Sequence, residues 1–181
     1  MSGPFTIGDN PVKRNGPDLF LATPDDAAAI AAVRVAAADR LTREFGDGHW
    51  SAHTNEASVL RDIKASRVLA MRAHDRIVGT LTLQTKKPWA IDVMYFTPCQ
   101  KPLYLINMAV EPDHQRRGVG RALLEEALRV ARSVPADAIR LDAYEAPAGA
   151  GPFYSKCGYT QVGGALYRGV PLLYFELMTG A

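Results

Sequence analysis

Two arginines and two glycines stand close together in the middle of the chain, within the stretch Gln115–Gly120. The stretch follows an apolar run, Leu103–Val110, and it opens a run in which apolar residues repeat at helical spacing. The first turn of a helix offers backbone N–H groups without acceptors in the helix, together with the positive end of the helix dipole. Glycines let a ligand approach that backbone, and Arg116 and Arg117 add positive charge. The pattern predicts a phosphate-binding helix start. On spacing alone, an amphipathic helix with a solvated basic end remains the alternative.

Three phosphate-binding patterns can be compared with this stretch. A P-loop requires Gly-x-x-x-x-Gly-Lys-Ser/Thr, which does not occur in the chain. A dinucleotide-binding fingerprint requires a small residue where Leu123 stands. The third pattern is Gln/Arg-x-x-Gly-x-Gly/Ala after a strand that ends apolar-x-Val-x-Pro, and it fits Met108–Pro112 and Gln115–Gly120 without gaps. In this respect the chain resembles the GCN5-related N-acetyltransferase (GNAT) family, in which the loop holds the pyrophosphate of acetyl-coenzyme A.

A second segment, Phe153–Tyr159, is similar to the Phe-Tyr-x-Lys-x-Gly-Phe/Tyr segment of the same family. The two motifs occur in the family's order, and the resemblance covers roughly residues 20–178. It implies an α/β fold with a mixed, centrally splayed β-sheet flanked by helices. It also implies acetyl-coenzyme A as co-substrate and no metal. The resemblance assigns cofactor binding to Met108, Ala109, Val110, Gln115, Arg116, Arg117, Gly118, Val119, Gly120, Arg121 and Tyr154.

Acetyl transfer to an amine needs groups that move protons. The amine must lose a proton before it attacks the thioester, and a phenol within hydrogen-bond distance can protonate the departing thiolate. The resemblance implies this general-acid role for Tyr154, and it implies that the backbone of Met108–Val110 binds the pantetheine arm and polarises the carbonyl. Taken alone, Tyr154 would be interpreted as a half-buried aromatic residue whose hydroxyl bonds to backbone.

The general base is less clearly marked. Histone-modifying members carry a glutamate where this chain has Tyr104, and a phenol is not a base at neutral pH. Bacterial enzymes that acetylate a ribosomal protein's N-terminus carry a carboxylate twelve residues before the tyrosine, and that position here is Asp142. A solvated aspartate at a strand end is the alternative interpretation. Glu111, Asp92 and Glu145 are further candidates, and a water molecule could relay the proton.

Other residues bear on the cofactor and the acceptor. Many members have an asparagine that bonds to pantetheine where this chain has Pro147, which supplies no such donor, so that contact must be lost or replaced. The segment 86–101 is aromatic and has no clean periodicity, and we expect it to face the substrate. The candidate acceptor-pocket residues are His49, Trp50, Trp89 and Tyr95, and we expect at least one tryptophan to pack in the core.

Hydrophobic periodicity predicts the elements that position these residues. Residues 1–17 are predicted as a loosely held lead-in, and residues 18–181 as one domain. A helix is expected over 115–133, with Glu125 and Arg129 as an ion pair on its exposed face. The remaining predicted strands are 18–22, 67–72, 77–84, 103–110, 138–144, 160–167 and 170–178, and the remaining helices follow Thr23-Pro24 as far as Gly46, cover Asn55–Lys64 and lie near 153–156.

Composition restricts the class of protein. The chain has 181 residues, a hydrophobic content of 48% and a formal net charge of +2, which favours neither a nucleic-acid nor a membrane partner. Two cysteines, Cys99 and Cys157, are expected to be free thiols. The first residues lack the basic and apolar regions of a signal peptide, so a cytoplasmic location is expected.

The favoured function is therefore acetyl-coenzyme A-dependent acetylation of a primary amine, with a small molecule as acceptor. A protein or peptide N-terminal acetyltransferase is the first alternative, and it predicts an open acceptor groove. A closed pocket walled by residues 86–101 would instead indicate a small molecule. The second alternative is a non-catalytic module that binds coenzyme A as a sensor. The sequence also permits a homodimer.

Overall fold

The computed structural model describes residues 18–180. The predicted lead-in, residues 1–17, lies outside the described residues. The elements in chain order are β1 (Asp18–Leu21), α1 (Ala27–Phe45), α2 (Glu56–Ala65), β2 (Arg67–Ala73), β3 (Arg76–Gln84), β4 (Pro102–Val110), α3 (Val119–Ser133), β5 (Ala138–Tyr144), α4 (Gly151–Lys156), β6 (Thr160–Tyr167) and β7 (Val170–Met178). The strands form one mixed sheet in the order β1-β2-β3-β4-β5-β7-β6. The predicted α/β class and mixed sheet are confirmed.

The helix of the first motif begins later than predicted. It starts at Val119 rather than at residue 115, because Gly118 at its N-cap has φ 85° and Arg116 has φ 60°. Both angles lie in the left-handed region, which a right-handed helix does not contain. Residues 115–118 are therefore a loop. The predicted Glu125–Arg129 pair is also wrong, since Arg129 instead binds Glu126, with Nε donating to Oε2 at 2.8 Å.

The central strands separate in the middle of the sheet. Parallel pairing of β4 with β5 is limited to three residues of each, Pro102–Tyr104 against Ala138–Arg140. Beyond them β4 continues along β3, and β5 continues along β7. The resulting gap opens toward the carboxyl ends of both strands, which is the position where ligands bind in open α/β sheets.

A β-bulge reshapes β4 beside this gap. Thr82 pairs with Ile106 and Thr80 pairs with Ala109, so that two residues of β4 stand opposite one residue of β3. Asn107 is one of the two, and its φ of 53° is unusual for a residue other than glycine. Such a bulge bends its strand and leaves backbone groups outside the sheet ladder.

Helices cover both faces of the sheet. In β2, Leu69 and Met71 pack in the core cluster beneath α3, whereas Val68 and Ala70 pack with α1 on the opposite face. This alternation follows from the two-residue period of a strand, and it explains why β2 is apolar on both faces. Within residues 18–180, no helix combines the length and apolar character that a membrane span requires.

Candidate active site

A cavity of about 420 Å³ occupies the gap between β4 and β5. Its walls come from α1, the segment after α1, the second half of β4, the end of β5, and the turn into α4. Its lining residues include Arg34, Ala37, Ala38, Leu41, Trp50, Ala52, Thr54, Met108, Ala109, Asp142, Tyr144, Ala148, Ala150 and Tyr154.

Tyr154 lies on α4 and is 6% exposed. The rings of Phe153, Tyr159 and Phe175 surround it at centroid distances of 5.5 to 5.9 Å. Among residues 18–180, its hydroxyl has one acceptor, the thioether sulfur of Met108 at 3.6 Å, and a thioether is a weak acceptor. Burial raises the pKa of Tyr154 strongly, and the negative charge of Asp142 raises it further. The phenol is therefore neutral at pH 7 and keeps its proton available to a better acceptor.

Asp142 is half-buried on β5 and lines the same cavity as Tyr154. No side chain within residues 18–180 forms an ion pair or hydrogen bond with its carboxylate. Burial raises the pKa of Asp142, and only its own backbone N–H opposes the shift. A carboxylate whose pKa moves toward neutrality is a better proton acceptor at pH 7 than an ordinary aspartate.

The other candidate bases lie elsewhere, and none of them lines the cavity. Glu111 accepts hydrogen bonds from the Asp113 N–H at 3.0 Å and from His114 Nδ1 at 2.8 Å. The bond to His114 lowers the pKa of Glu111, which makes it a weaker base. Asp92 caps a short turn by accepting from the Met94 N–H at 3.0 Å. Glu145 is exposed after the end of β5.

The loop before α3 presents a row of unpartnered backbone donors. Among the described residues, the N–H groups of 116–121 have no acceptor, and the first paired one is Ala122, which donates to Gly118 at 3.0 Å. Gly118 is exposed, and a Cβ built on it would meet no atom within 4 Å. The approach to these donors is therefore open. Gln115 holds the loop to the end of β4, since its Nε2 donates to the Val110 carbonyl at 3.1 Å.

The helix start adjoins the cavity at Gly120. A Cβ on Gly120 would lie 3.0 Å from the Phe153 ring and 3.4 Å from the methyl group of Met108. Met108 in turn lines the cavity and contacts Tyr154, so the start of α3 lies next to the part of the cavity that contains the buried phenol. Arg121 ties α3 to α4, because its Nη2 donates to the Lys156 carbonyl at 3.1 Å.

The remaining predicted cofactor residues fall into two groups. Arg116 and Arg117 are exposed on the loop, where their positive side chains are accessible to an anion. Val119 is buried against Gly79, at which a Cβ would approach the valine side chain to 2.7 Å. Val119 can therefore offer a ligand its N–H group but not its side chain.

The turn that contains Pro147 forms the cavity wall beside Tyr154. Pro147 itself is exposed, whereas Ala148 and Ala150 line the cavity. The turn is closed by the Gly149 N–H, which donates to the Ala146 carbonyl at 2.8 Å. Glycine is required at 149, because a Cβ there would lie 1.8 Å from the Tyr144 carbonyl oxygen. This tight turn is followed by an α4 of only six residues.

The predicted acceptor residues separate in the structure. Trp50 lines the cavity, with its ring centroid 5.6 Å from that of Tyr144. His49 is exposed and its ring lies 6.4 Å from Tyr144. Trp89 is 85% exposed, and Trp50 is only half-buried, so the expectation of a tryptophan in the core is wrong.

Segment 86–101 does not wall the cavity, contrary to expectation. It is bound to the sheet instead. Tyr174 donates its hydroxyl to the Ala90 carbonyl at 2.6 Å, and the Thr97 N–H donates to Glu176 at 3.1 Å. Tyr95, predicted as an acceptor residue, packs at 5.5 Å from the Tyr174 ring. Tyr95 therefore helps to attach the segment to the sheet, whereas Trp89 remains exposed.

A polar network beside the cavity was not predicted. Arg34 on α1 is buried and donates to Asp62 on α2 at 2.8 Å and to Thr82 on β3 at 3.1 Å. The same Asp62 oxygen accepts from the Asn107 side chain at 3.1 Å. The network therefore connects α1 and α2 to the β4 bulge. The available signal was the position of Arg34, which lies one turn after the buried Ile30 on an apolar helix.

Comparison with known proteins supplies a family and a fold. The sequence profile of the acetyltransferase (GNAT) family matches residues 30–159. No protein of curated function matches the chain.

Three solved structures illustrate the fold. The ribosomal-protein-S18-alanine N-acetyltransferase of Escherichia coli has 17% identity, covers 91% of this chain and 94% of its own, and superposes with a TM-score of 0.68. PaiA N-acetyltransferase of Thermoplasma acidophilum, in complex with coenzyme A, has 14% identity, coverages of 90% and 99%, and a TM-score of 0.68. Aminoglycoside 6′-acetyltransferase type Ii has 15% identity, coverages of 90% and 97%, and a TM-score of 0.66.

Proposed function

The chain belongs to the acetyltransferase (GNAT) family, and on that premise we propose that it transfers an acetyl group from acetyl-coenzyme A to a primary amine of a small molecule. The observation that carries the proposal is that one cavity is lined by a buried phenol, Tyr154, and by the carboxylate of Asp142, which has no side-chain partner within residues 18–180. One group can give a proton and the other can take one.

The loop before α3 fits the phosphates of coenzyme A. Six consecutive backbone N–H groups, those of residues 116–121, have no acceptor among the described residues, and Gly118 leaves the space before them open. Arg116 and Arg117 add two positive charges beside a helix N-terminus. From Gly120 the path leads over Met108 into the cavity, which is the direction the pantetheine arm would take.

Two residues move protons in the proposed reaction. Acetyl-coenzyme A, when bound, would supply a thioester whose sulfur leaves as the new C–N bond forms. Asp142 accepts the proton that the ammonium group of the acceptor must lose, either directly or through water. Tyr154 donates its proton to the departing sulfur. The nitrogen releases its second proton to solvent as the amide forms, and the phenol regains a proton from solvent. Because burial raises the pKa of the phenol, Tyr154 is protonated at pH 7 and has a proton to give to the sulfur.

The size of the cavity supports a small acceptor. Its volume of about 420 Å³ lies near the lower end of the roughly 300–1,000 Å³ typical of small-molecule sites. The same space must also hold the thioester end of the co-substrate. The side away from β4 is lined by α1 and by Trp50, Ala52 and Thr54. Segment 86–101, whose place in the wall of a closed pocket would have indicated a small molecule, does not line the cavity, so the proposal of a small acceptor rests on the cavity volume. The two free cysteines, Cys99 and Cys157, support action in a reducing compartment such as the cytoplasm.

The test is acetyl-coenzyme A-dependent thiol release with a panel of amines, comparing Tyr154→Phe with Tyr159→Phe. The two tyrosines are matched, since both are buried and burial raises the pKa of both, but Tyr159 does not line the cavity. Tyr154→Phe should lower kcat by about 10²-fold, the usual range for general acid catalysis, while coenzyme A affinity stays nearly constant. Tyr159→Phe should leave kcat unchanged.

The two tyrosine variants should differ little in stability, so a difference in kcat between them reports on catalysis. Removing a hydroxyl that has only a weak acceptor, or none, should change the free energy of unfolding by about 1 kcal/mol or less. The defect of Tyr154→Phe should also shrink with a thioester whose thiol is more acidic. Full turnover in Tyr154→Phe would reject the general-acid role, and binding of coenzyme A without turnover of any amine would favour the sensor alternative.

A further inference from the structure

Two aromatic rings form a corner on the side of the cavity that is made by the segment after α1 and the end of β5, which we call the acceptor half. Trp50 and Tyr144 both line it, and their ring planes meet at 72° with centroids 5.6 Å apart. We call this pair the aromatic corner. Trp50 is fixed in place, because its Nε1 donates to the Gly46 carbonyl at 3.1 Å and its ring covers Gly48 so closely that a Cβ there would lie 2.5 Å away.

The charge of the cavity wall is unbalanced. Only two of its lining residues carry a formal charge, Arg34 and Asp142. Arg34 is neutralised by its ion pair with Asp62 at 2.8 Å. Asp142 has no such counter-ion among residues 18–180. One negative charge therefore remains, and it lies on the strand that also carries Tyr144 of the aromatic corner.

This combination has the chemistry of a cation site. The faces of tryptophan and tyrosine rings attract ammonium groups, and two rings set at an angle are the arrangement that binds quaternary ammonium ligands. A nearby carboxylate adds Coulomb attraction, which is stronger in a partly desolvated cavity than in water. From this geometry we infer that the acceptor half of the cavity binds organic cations, and that the acceptors are small amines with no carboxylate next to the amino group. The part of the inference that concerns acceptors rests on the proposed function, whereas the part that concerns binding of cations does not.

Arg34 does not offset this preference by serving as a carboxylate site. Its Nη1 donates to Asp62 and its Nη2 to Thr82, and its Nε is shielded from solvent. Asp142 would repel the carboxylate of an α-amino acid, and the one cation that lines the cavity, Arg34, is already neutralised by Asp62. The primary amine of the same skeleton without the carboxylate avoids that repulsion.

A pair of isosteric probes tests the binding part of the inference without any turnover. Choline carries a trimethylammonium group, and 3,3-dimethylbutan-1-ol replaces that nitrogen with carbon, so the pair differs in charge but hardly in shape. Calorimetry on the full-length protein saturated with coenzyme A should give choline at least about tenfold tighter binding than the neutral alcohol. Equal affinities, tighter binding of the alcohol, or no binding of either probe would overturn the inference.

Matched variants show whether the aromatic corner is responsible. Trp50→Leu and Tyr144→Leu should each reduce the preference for choline by about threefold or more, whereas Tyr144→Phe keeps a ring and should retain most of it. Trp89→Leu is the control, because Trp89 is 85% exposed and does not line the cavity. A preference that survives both leucine substitutions would remove the aromatic corner from the site.

A comparison of acceptors separates the inference from the proposed function. Phenethylamine should be acetylated with a kcat/KM at least about tenfold higher than that of phenylalanine. Acetylation that favours phenylalanine would reject the inference and leave the proposed function standing. Preferential binding of choline by a protein that acetylates no amine would support the inference about binding and reject the proposed function.

Discussion

Gly118 and Gly169 allow the phosphate-binding role of the loop to be tested with an internal control. Gly118 has φ 85° and Gly169 has φ 80°, and at both positions a Cβ would meet no atom within 4 Å. The backbone cost of a side chain is therefore the same at the two sites. Gly118 precedes the free N–H groups of α3, whereas Gly169 lies in the β6–β7 turn. Gly118→Leu and Gly169→Leu should differ only in what the side chain blocks.

The expected loss of stability without ligand is similar for both variants. A non-glycine residue in the left-handed region costs about 1–2 kcal/mol. In a domain of this size each kcal/mol corresponds to about 2–4 °C, so both variants should melt about 2–8 °C below the wild type.

Coenzyme A should then distinguish the two. At a concentration one hundred times its Kd, a ligand stabilises the folded state by about 2.7 kcal/mol, which raises Tm by about 5–11 °C. Gly169→Leu should keep this full shift. If leucine at position 118 weakens binding a hundredfold, the same concentration gives only about 0.4 kcal/mol, or about 1 °C.

The measurement is a thermal-shift titration of the three proteins with coenzyme A. An equal shift in Gly118→Leu and the wild type would refute the assignment of the loop to the phosphates. Loss of the shift in both variants would mean that binding responds to general destabilisation and not to the loop.

Three further predictions concern Asp142 in the cavity wall and the ion pair between Arg34 and Asp62. Burial raises the pKa of Asp142, so the acidic limb of the pH–rate profile should lie above the pH at which an ordinary aspartate titrates. Asp142→Asn should remove this limb and leave coenzyme A affinity nearly intact. Because the folded-state pKa of Asp142 is raised, its ionisation opposes folding at pH 7. Urea unfolding should therefore find Asp142→Asn more stable than the wild type at pH 7, with the difference vanishing below about pH 4. Asp62→Ala should lower the free energy of unfolding by about 3 kcal/mol, the lower end of the range for a buried pair, because Asp62 is 25% exposed and Arg34 keeps its bond to Thr82; adding Arg34→Met should recover part of that loss. A loss in the double variant equal to the sum of the losses in Asp62→Ala and Arg34→Met would show that the pair is not coupled.

Hydrophobic periodicity predicted the elements well, because it is a local property of the chain. The hairpin β2–β3, strand β5 and the pair β6–β7 have nearly the predicted bounds, since each is an apolar run between turn residues. Apolar spacing cannot locate the first residue of α3. That boundary depends on the left-handed backbone of Arg116 and Gly118, and an arginine gives no sign that it will adopt such a conformation.

The parts of the site that were not predicted depend on contacts between distant residues. Arg34 and Asp62 are 28 positions apart, and Asp62 and Asn107 are 45 apart. A charged residue on an apolar helix indicates that a partner exists but not which residue it is. Segment 86–101 was misassigned for the same reason, since nothing within it indicates that Tyr174 and Glu176 of β7 bind it to the sheet.

The separation of β4 and β5 connects the cavity to its chemistry. Pairing stops after Tyr104 and Arg140, so the facing edges of the two strands lose their ladder partners where the cavity begins. Unpaired backbone groups inside a protein need other partners, and an extended amide chain such as pantetheine can provide them in the way a third strand would. Among the residues that the structure describes, Asp142 at the same opening is half-buried without a counter-ion, and the Tyr154 hydroxyl has one acceptor, a sulfur atom. The sheet therefore loses hydrogen bonds at the place where a co-substrate can supply them, and the two residues proposed to move protons flank that place.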